Sequence, residues 1–166
     1  MAPMSTPSPS GARLLGHPLH PALVHLPVGL FLGAAVWDCL GLALAEPSWW
    51  WLARACLGLG LVGLVPAAAT GLVDFLGLPA GQPAEKVATR HMLWAMSAGG
   101  LFVASLLLHR GARTPTPAHP GWATAATLVG CAVLAVAGAL GGELVYRHGV
   151  GVHRRGAQPA EGAPPP

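Results

Sequence analysis

Histidine and carboxylate side chains occur inside the long apolar stretches of this sequence. His25, Asp74, His91 and Glu143 each lie within a different apolar segment. Ionisable groups at such positions are energetically costly, and they usually face a partner or a cavity. Neutral imidazole is the commonest metal ligand in proteins and also titrates near physiological pH. These four residues are therefore the first candidates for a cofactor, metal or proton site.

Two kinds of cofactor site fit these residue types. A b-type heme with His25 and His91 as axial ligands would support electron transfer, because bis-histidine ligation leaves no open position for oxygen chemistry. A mixed site of imidazole and carboxylate ligands would suit Zn, Fe or Mn. The candidate ligands of this mixed metal site are His17, His20, Asp74, His91, Glu143 and His148. The residues alone leave the choice between heme and a transition metal open.

The elements that must position these residues are membrane helices. The chain is 53% hydrophobic and 9% charged, whereas soluble domains carry about 25% charged residues. Four apolar segments, each near or above the roughly 20 residues that cross a bilayer, are separated by short loops that make neighbouring helices antiparallel. They span about 21–45, 49–78, 87–109 and 122–146. The prediction is an all-α, polytopic membrane protein with four transmembrane helices in an up-down antiparallel bundle.

The proline-rich segments at the two ends, 1–16 and 154–166, are predicted to be disordered, which leaves a membrane domain over 17–153. Four spans place both termini on the same side of the membrane, here called the near side. His25, Asp74, His91 and Glu143 then lie at a similar depth close to that side, on faces rich in small residues. Small residues mark helix contacts in membranes, so we expect the four side chains to converge in the bundle interior.

A structural interpretation of the same cluster stays open. The near-side carboxylates, histidines and arginines would satisfy one another as a polar latch, and the prolines at 18, 21 and 27 would begin the first helix. Asp38 lies deeper, toward the opposite or far side, and we predict that it pairs with Arg54 of the neighbouring helix.

Basic residues predict the orientation. Six basic residues are on the near side and three on the far side, and this excess favours a cytoplasmic near side. The near-side residues are Arg13, Lys86, Arg90, Arg147, Arg154 and Arg155; the far-side residues are Arg54, Arg110 and Arg113. Richness in Ala, Gly, Pro and Leu with a single lysine indicates a GC-rich bacterial gene. We therefore expect a multi-pass protein of the bacterial inner membrane with both termini in the cytoplasm.

No familiar catalytic motif is present. The sequence has no phosphate-binding G-x-x-x-x-G-K-[ST], nucleophile elbow, CxxCH or HExxH. The basic residues form no stripe of the kind that nucleic-acid binding requires. A non-enzymatic role is therefore favoured, with the lipid bilayer as the one partner that the composition implies.

Four motifs together resemble a known family. "GHPLHPALVHLPVG", "TGLVDFLGLP", "RHMLW" and "GGELVYRHGVGV" resemble the bacterial predicted membrane proteins of domain-of-unknown-function family 2231, over about residues 16–152. The resemblance implies a four-helix membrane domain. Some relatives are joined to Rieske or cytochrome c-type domains, which implies a redox partner protein on another polypeptide here. The motif positions carried over are His17, His20, His25, Asp74, His91, Glu143 and His148.

The functional prediction is a small membrane protein that binds heme b or a metal and is associated with electron transfer. The alternative is a non-enzymatic scaffold, or a small permeation or pH-responsive protein, whose histidines are structural.

Overall fold

Four helices make up the membrane domain. The computed structural model describes residues 11–15, 17–110 and 116–151, and within them lie α1 (Leu19–Leu44), α2 (Pro47–Leu76), α3 (Pro83–Leu108) and α4 (Pro120–Tyr146). Each is long and apolar enough to cross a membrane. Proline begins α2, α3 and α4. Backbone N–H groups in the first turn of a helix have no acceptor within the helix, so proline, which lacks this group, loses no hydrogen bond there. The predicted all-helical membrane fold is confirmed.

The helices pack as two hairpins. α1 packs mainly against α2 and α3 mainly against α4, and smaller contacts of α1 with α4 and of α2 with α3 close the bundle. This arrangement places α1 and α3 diagonally across the bundle centre. At that centre the rings of Phe31 and Phe102 stack with centroids 3.8 Å apart and planes 9° from parallel. The stack joins the two hairpins directly.

The second hairpin repeats the first. Asp38 and His109 are separated by 71 positions, and the same separation relates two further pairs of α1 and α3, His20 with His91 and Phe31 with Phe102. In α2 and α4 the separation is one position shorter, and it relates Gly60 with Gly130, Ala67 with Ala137 and Gly71 with Gly141. Because both hairpins start on the near side, an approximate twofold axis parallel to the helices relates them.

Equivalent residues make equivalent contacts. A Cβ atom on Gly60 would lie 2.6 Å from the Phe31 ring, and one on Gly130 would lie 2.8 Å from the Phe102 ring. Each phenyl ring therefore packs onto the bare backbone of its hairpin partner, an approach that small residues allow between membrane helices. Beside the axis the core is completed by the small or apolar residues Ala34, Leu57 and Ala98.

A short N-terminal hairpin covers the near end of α2. β1 (Arg13–Leu14) pairs antiparallel with β2 (His17–Pro18), and the backbone N–H of Ala12 donates to Oδ1 of Asp74 over 2.9 Å. Residues 11–15 belong to the segment predicted to be disordered, and the structure describes them beside Asp74. Residues 1–10, 16 and 154–166 of the predicted disordered segments lie outside the described residues.

Candidate functional site

His20 and His91 occupy equivalent places at the near end of the bundle. Nδ1 of His20 lies 2.8 Å from the carbonyl oxygen of Ala67 in α2, and Nδ1 of His91 lies 2.8 Å from the carbonyl oxygen of Ala137 in α4. A carbonyl oxygen only accepts hydrogen bonds, so each Nδ1 carries a proton and donates it. In the neutral imidazole, each Nε2 then keeps a free lone pair, which is the form that binds a metal.

Glycine allows both imidazoles to approach their partner helices. A Cβ atom on Gly71 would lie 2.8 Å from Cε1 of His20, and one on Gly141 would lie 3.3 Å from Cε1 of His91. The first distance is too short for any side chain larger than hydrogen. Each hairpin therefore holds its histidine by the same two features, a backbone acceptor and a glycine one helical turn further along.

The two rings face each other across the bundle. Their centroids are 6.4 Å apart and their planes are nearly perpendicular, at 84°. Both side chains are half-buried. Cofactor sites of helix bundles are built from side chains on facing helices of the core.

His25 does not belong to this pair, and its predicted inward orientation is wrong. Its side chain is exposed, and so are Leu32 and Val36 on the same face of α1. The buried face of α1 carries Pro27 and Phe31 instead. The prediction took the face with Gly29, one turn after His25, as the face that contacts other helices. The structure instead turns the face with Phe31 toward the bundle interior. The second histidine opposite His91 is therefore His20.

The other predicted near-side ligands are engaged separately. Asp74 accepts the N–H of Ala12, His17 is exposed, and Oε1 of Glu143 lies 3.3 Å from Nη1 of Arg147 and 4.0 Å from Nε2 of His148. Among the described residues, no three His, Cys, Asp or Glu side chains are close enough together to hold a metal ion. The structure does not assemble the mixed site drawn from His17, His20, Asp74, His91, Glu143 and His148.

A second polar layer lies at the far end of the bundle. Oδ1 of Asp38 is 2.7 Å from Nε2 of His109, and Oδ2 of Asp38 accepts a hydrogen bond from Oγ1 of Thr127 over 2.6 Å. Ser105 Oγ lies 2.7 Å from Thr127 Oγ1. All four side chains are fully buried. The predicted pair of Asp38 with Arg54 is wrong, because Asp38 faces the interior whereas Arg54 is exposed.

The hydrogen bonds of this far layer form one directed chain. Nδ1 of His109 donates to the carbonyl oxygen of Ser105 over 2.8 Å, so its other nitrogen faces the Asp38 carboxyl group. The Thr127 hydroxyl donates to that group and accepts from Ser105. A buried polar network with every member satisfied fixes the register of the elements it joins.

Sequence reasoning missed three members of the far layer, Ser105, His109 and Thr127. Ser105 carried no signal of its own, since its shortest side-chain contact, with Thr127, is made to another helix. One signal was present: Asp38 is a carboxylate deep in an apolar segment, and such a group requires a buried partner. His109 ends α3 at the depth of Asp38, so matching depths across all four helices would have paired them.

The family comparison agrees with this architecture. The family model described as "Predicted membrane protein (DUF2231)" matches residues 16–154. The chain belongs to this DUF2231 family. The match covers all four helices and both polar layers, so the predicted resemblance is confirmed. The comparisons with curated proteins and with solved structures gave no match. Family membership therefore supports a multi-pass membrane protein, and any further function must be argued from the residues.

Proposed function

We propose that this DUF2231 protein binds one b-type heme between His20 and His91 and takes part in electron transfer in the membrane. The observation that carries the proposal is the facing pair of imidazoles, with centroids 6.4 Å apart and each Nδ1 bound to a backbone carbonyl. Metal-bound histidines usually donate their second ring N–H in this way, which fixes the ring and directs the free nitrogen at the metal.

The repeat supports the same assignment. Two axial ligands of one heme are chemically alike, and His20 and His91 are the equivalent histidines of the two hairpins. His20 and His91 would hold the heme, which would supply reversible one-electron chemistry when bound.

Partial burial of the two rings suits electron exchange with a second protein. Both imidazoles are half-buried at the near end of the bundle, where a partner can approach from the membrane surface. Relatives joined to Rieske or cytochrome c-type domains suggest a partner of that class. The basic residues favour a cytoplasmic near side in the bacterial inner membrane; of the nine, Arg113, Arg154 and Arg155 lie outside the described residues. A periplasmic reporter fused to the C-terminus should accordingly be inactive.

An optical spectrum tests the proposal. The protein is expressed with heme precursor, purified in detergent and recorded as a reduced-minus-oxidised difference spectrum, with heme and metal content measured in parallel. The expected result is about one heme per chain with low-spin bis-histidine bands. His20→Ala and His91→Ala should each abolish these bands, whereas His25→Ala should leave them unchanged. His25 is a matched control because it lies on the same helix as His20 but is exposed.

A ligand exchange separates loss of the cofactor from loss of the fold. His91→Met keeps a side chain that ligates iron, and replacing one histidine by methionine raises the reduction potential of a heme. The expected variant retains heme at a higher potential. A wild-type preparation without heme or metal contradicts the proposal and favours the alternative, a non-enzymatic scaffold with structural histidines. Heme that persists in both alanine variants also contradicts it.

A further inference from the structure

A groove between α2 and α3 lies near the far surface of the membrane. Its volume is about 440 Å³, and it is separate from both polar layers, since the far layer is fully buried at the bundle centre. Four of its lining residues come from α2 and two from the end of α3 or just beyond. They are Trp51, Arg54, Ala55, Gly58, Leu106 and Arg110.

The two arginines give the groove its chemistry. Both are exposed, and within the described ranges neither forms an ion pair with a carboxylate. Of the described far-side acids, Asp38 is buried against His109, and Glu46 lies in the α1–α2 turn, with its Oε1 3.5 Å from the Ser48 hydroxyl. Guanidinium groups match phosphate oxygens with paired N–H donors. The cationic end of the groove therefore favours a phosphate group.

The repeat provides an internal comparison for this groove. The twofold axis relates it to the region between α4 and α1, where the buried Thr124 takes the place of the exposed Arg54, and Cys39 that of Arg110. Leu128 stands there in place of Gly58. Residues that are the same at equivalent positions of both hairpins can be explained by the needs of helix packing. Two arginines and an open glycine on one face only are not required by the fold, so they point to a ligand.

We propose that this groove binds a phosphate-bearing anion, with Arg54 and Arg110 as the phosphate ligands. Its position favours the headgroup of an anionic phospholipid. Trp51 lies at its rim with 61% of its surface exposed, as tryptophan commonly does at the membrane–water interface. Ala55 and Leu106 offer an apolar wall along which the upper part of an acyl chain can lie. This proposal is independent of heme binding at the other end of the bundle.

Native mass spectrometry of the full chain tests the proposal. The protein is placed in nanodiscs of phosphatidylcholine with a minor fraction of phosphatidylglycerol, and the lipids that remain bound after release are counted. Wild type should retain phosphatidylglycerol preferentially. Arg54→Thr combined with Arg110→Gln should reduce this retention about tenfold or more, since both charge-assisted hydrogen bonds to the phosphate are lost. Arg90→Gln, which removes an exposed near-side charge, is the matched control and should retain the lipid.

Two further arms complete the test. Gly58→Leu keeps both arginines but fills the groove with the residue of the equivalent face, and nothing lies within 4 Å of the added Cβ to oppose it; retention should fall here as well. Inorganic phosphate is titrated against the difference in tryptophan fluorescence between wild type and Trp51→Phe, because the chain has six tryptophans. Saturation by phosphate, without preferential lipid retention, assigns the site to soluble phosphate. The proposal is overturned when the double arginine variant retains phosphatidylglycerol like wild type, or when wild type shows neither lipid preference nor phosphate binding.

Discussion

Nε2 of His109 lies 2.7 Å from Oδ1 of Asp38, and the two fully buried side chains come from diagonal helices of the two hairpins. The contact occupies the far end of the same axis on which Phe31 stacks against Phe102. A buried ion pair adds little net stability over apolar packing, but removal of one partner leaves an uncompensated buried group. This asymmetry makes the pair a sensitive probe of how the hairpins are held together.

Loss of the Asp38 carboxylate should destabilise the whole bundle. We expect Asp38→Asn to lower the free energy of unfolding by about 3–5 kcal/mol, because it removes the buried carboxylate that contacts His109 and Thr127. Equilibrium unfolding in mixed micelles measures the change. Glu46→Gln removes an exposed carboxylate on the same side and should have an effect within about 0.5 kcal/mol. Equal stability of the two variants would mean that His109 is not held by Asp38.

The aromatic stack should be the main apolar contact between the hairpins. Phe31→Ala and Phe102→Ala should each destabilise the protein by about 3–5 kcal/mol through the cavity left behind. A double-mutant cycle should give a coupling energy of about 0.5–1.5 kcal/mol, the range for aromatic pairs. Leu32→Ala alters the exposed face of α1 and serves as the control. A coupling energy of zero would contradict direct packing of the rings.

The glycines beneath the phenyl rings should not tolerate a methyl group. Gly60→Ala and Gly130→Ala place a Cβ atom within 3 Å of Phe31 and Phe102, respectively. The rings or the helices must then shift, and overpacking of this kind usually destabilises by about 1–3 kcal/mol. Gly138→Ala is the matched control, since nothing lies within 4 Å of its Cβ position. Thermal unfolding of the three variants should separate the first two from the third.

The N-terminal hairpin should depend on Asp74. Its Oδ1 accepts the backbone N–H of Ala12 over 2.9 Å, so Asp74→Ala should increase hydrogen exchange at that amide. Exchange within α2 should stay low, because the helix keeps its own backbone bonds. Glu143→Ala removes the near-side carboxylate of α4 and should leave the Ala12 amide protected. Unchanged protection in Asp74→Ala would show that another group orders this segment.

The helices could be predicted from composition, whereas the orientation of side chains within them could not. Length and apolarity place each span within a few residues of its observed bounds, because a bilayer admits few alternatives to a helix. The rotation of each helix about its own axis could not be predicted in this way. Every face of α1 is apolar, so the sequence offered only a small-residue stripe, and it pointed to His25. The bulky Phe31 packs onto Gly60 of another helix, a contact that no pattern within α1 reveals.

For the candidate histidine site, the helices that carry the residues could be predicted, but not every residue that faces the bundle interior. The sequence predicted that His91 faces a histidine of the first helix; the structure places His20 there, five residues before the predicted His25, and a ligand role for either histidine stays a prediction. The equivalence of His20 and His91 is hard to see because few other residues of the two hairpins are identical. It becomes visible when the contacts with Ala67 and Ala137 are compared. Three-dimensional contacts, rather than residue types, separate the ligand candidates from the exposed histidines.

Because the two similar hairpins belong to one polypeptide chain, their sequences can change independently. In a homodimer of one hairpin, every substitution is made twice, so an aspartate at an axial position would meet a second aspartate. In a single polypeptide each half mutates alone. Asp38 can therefore face a histidine, and one outer face can carry two arginines while its counterpart has none. Fusion frees the two halves to specialise while the shared scaffold stays the same.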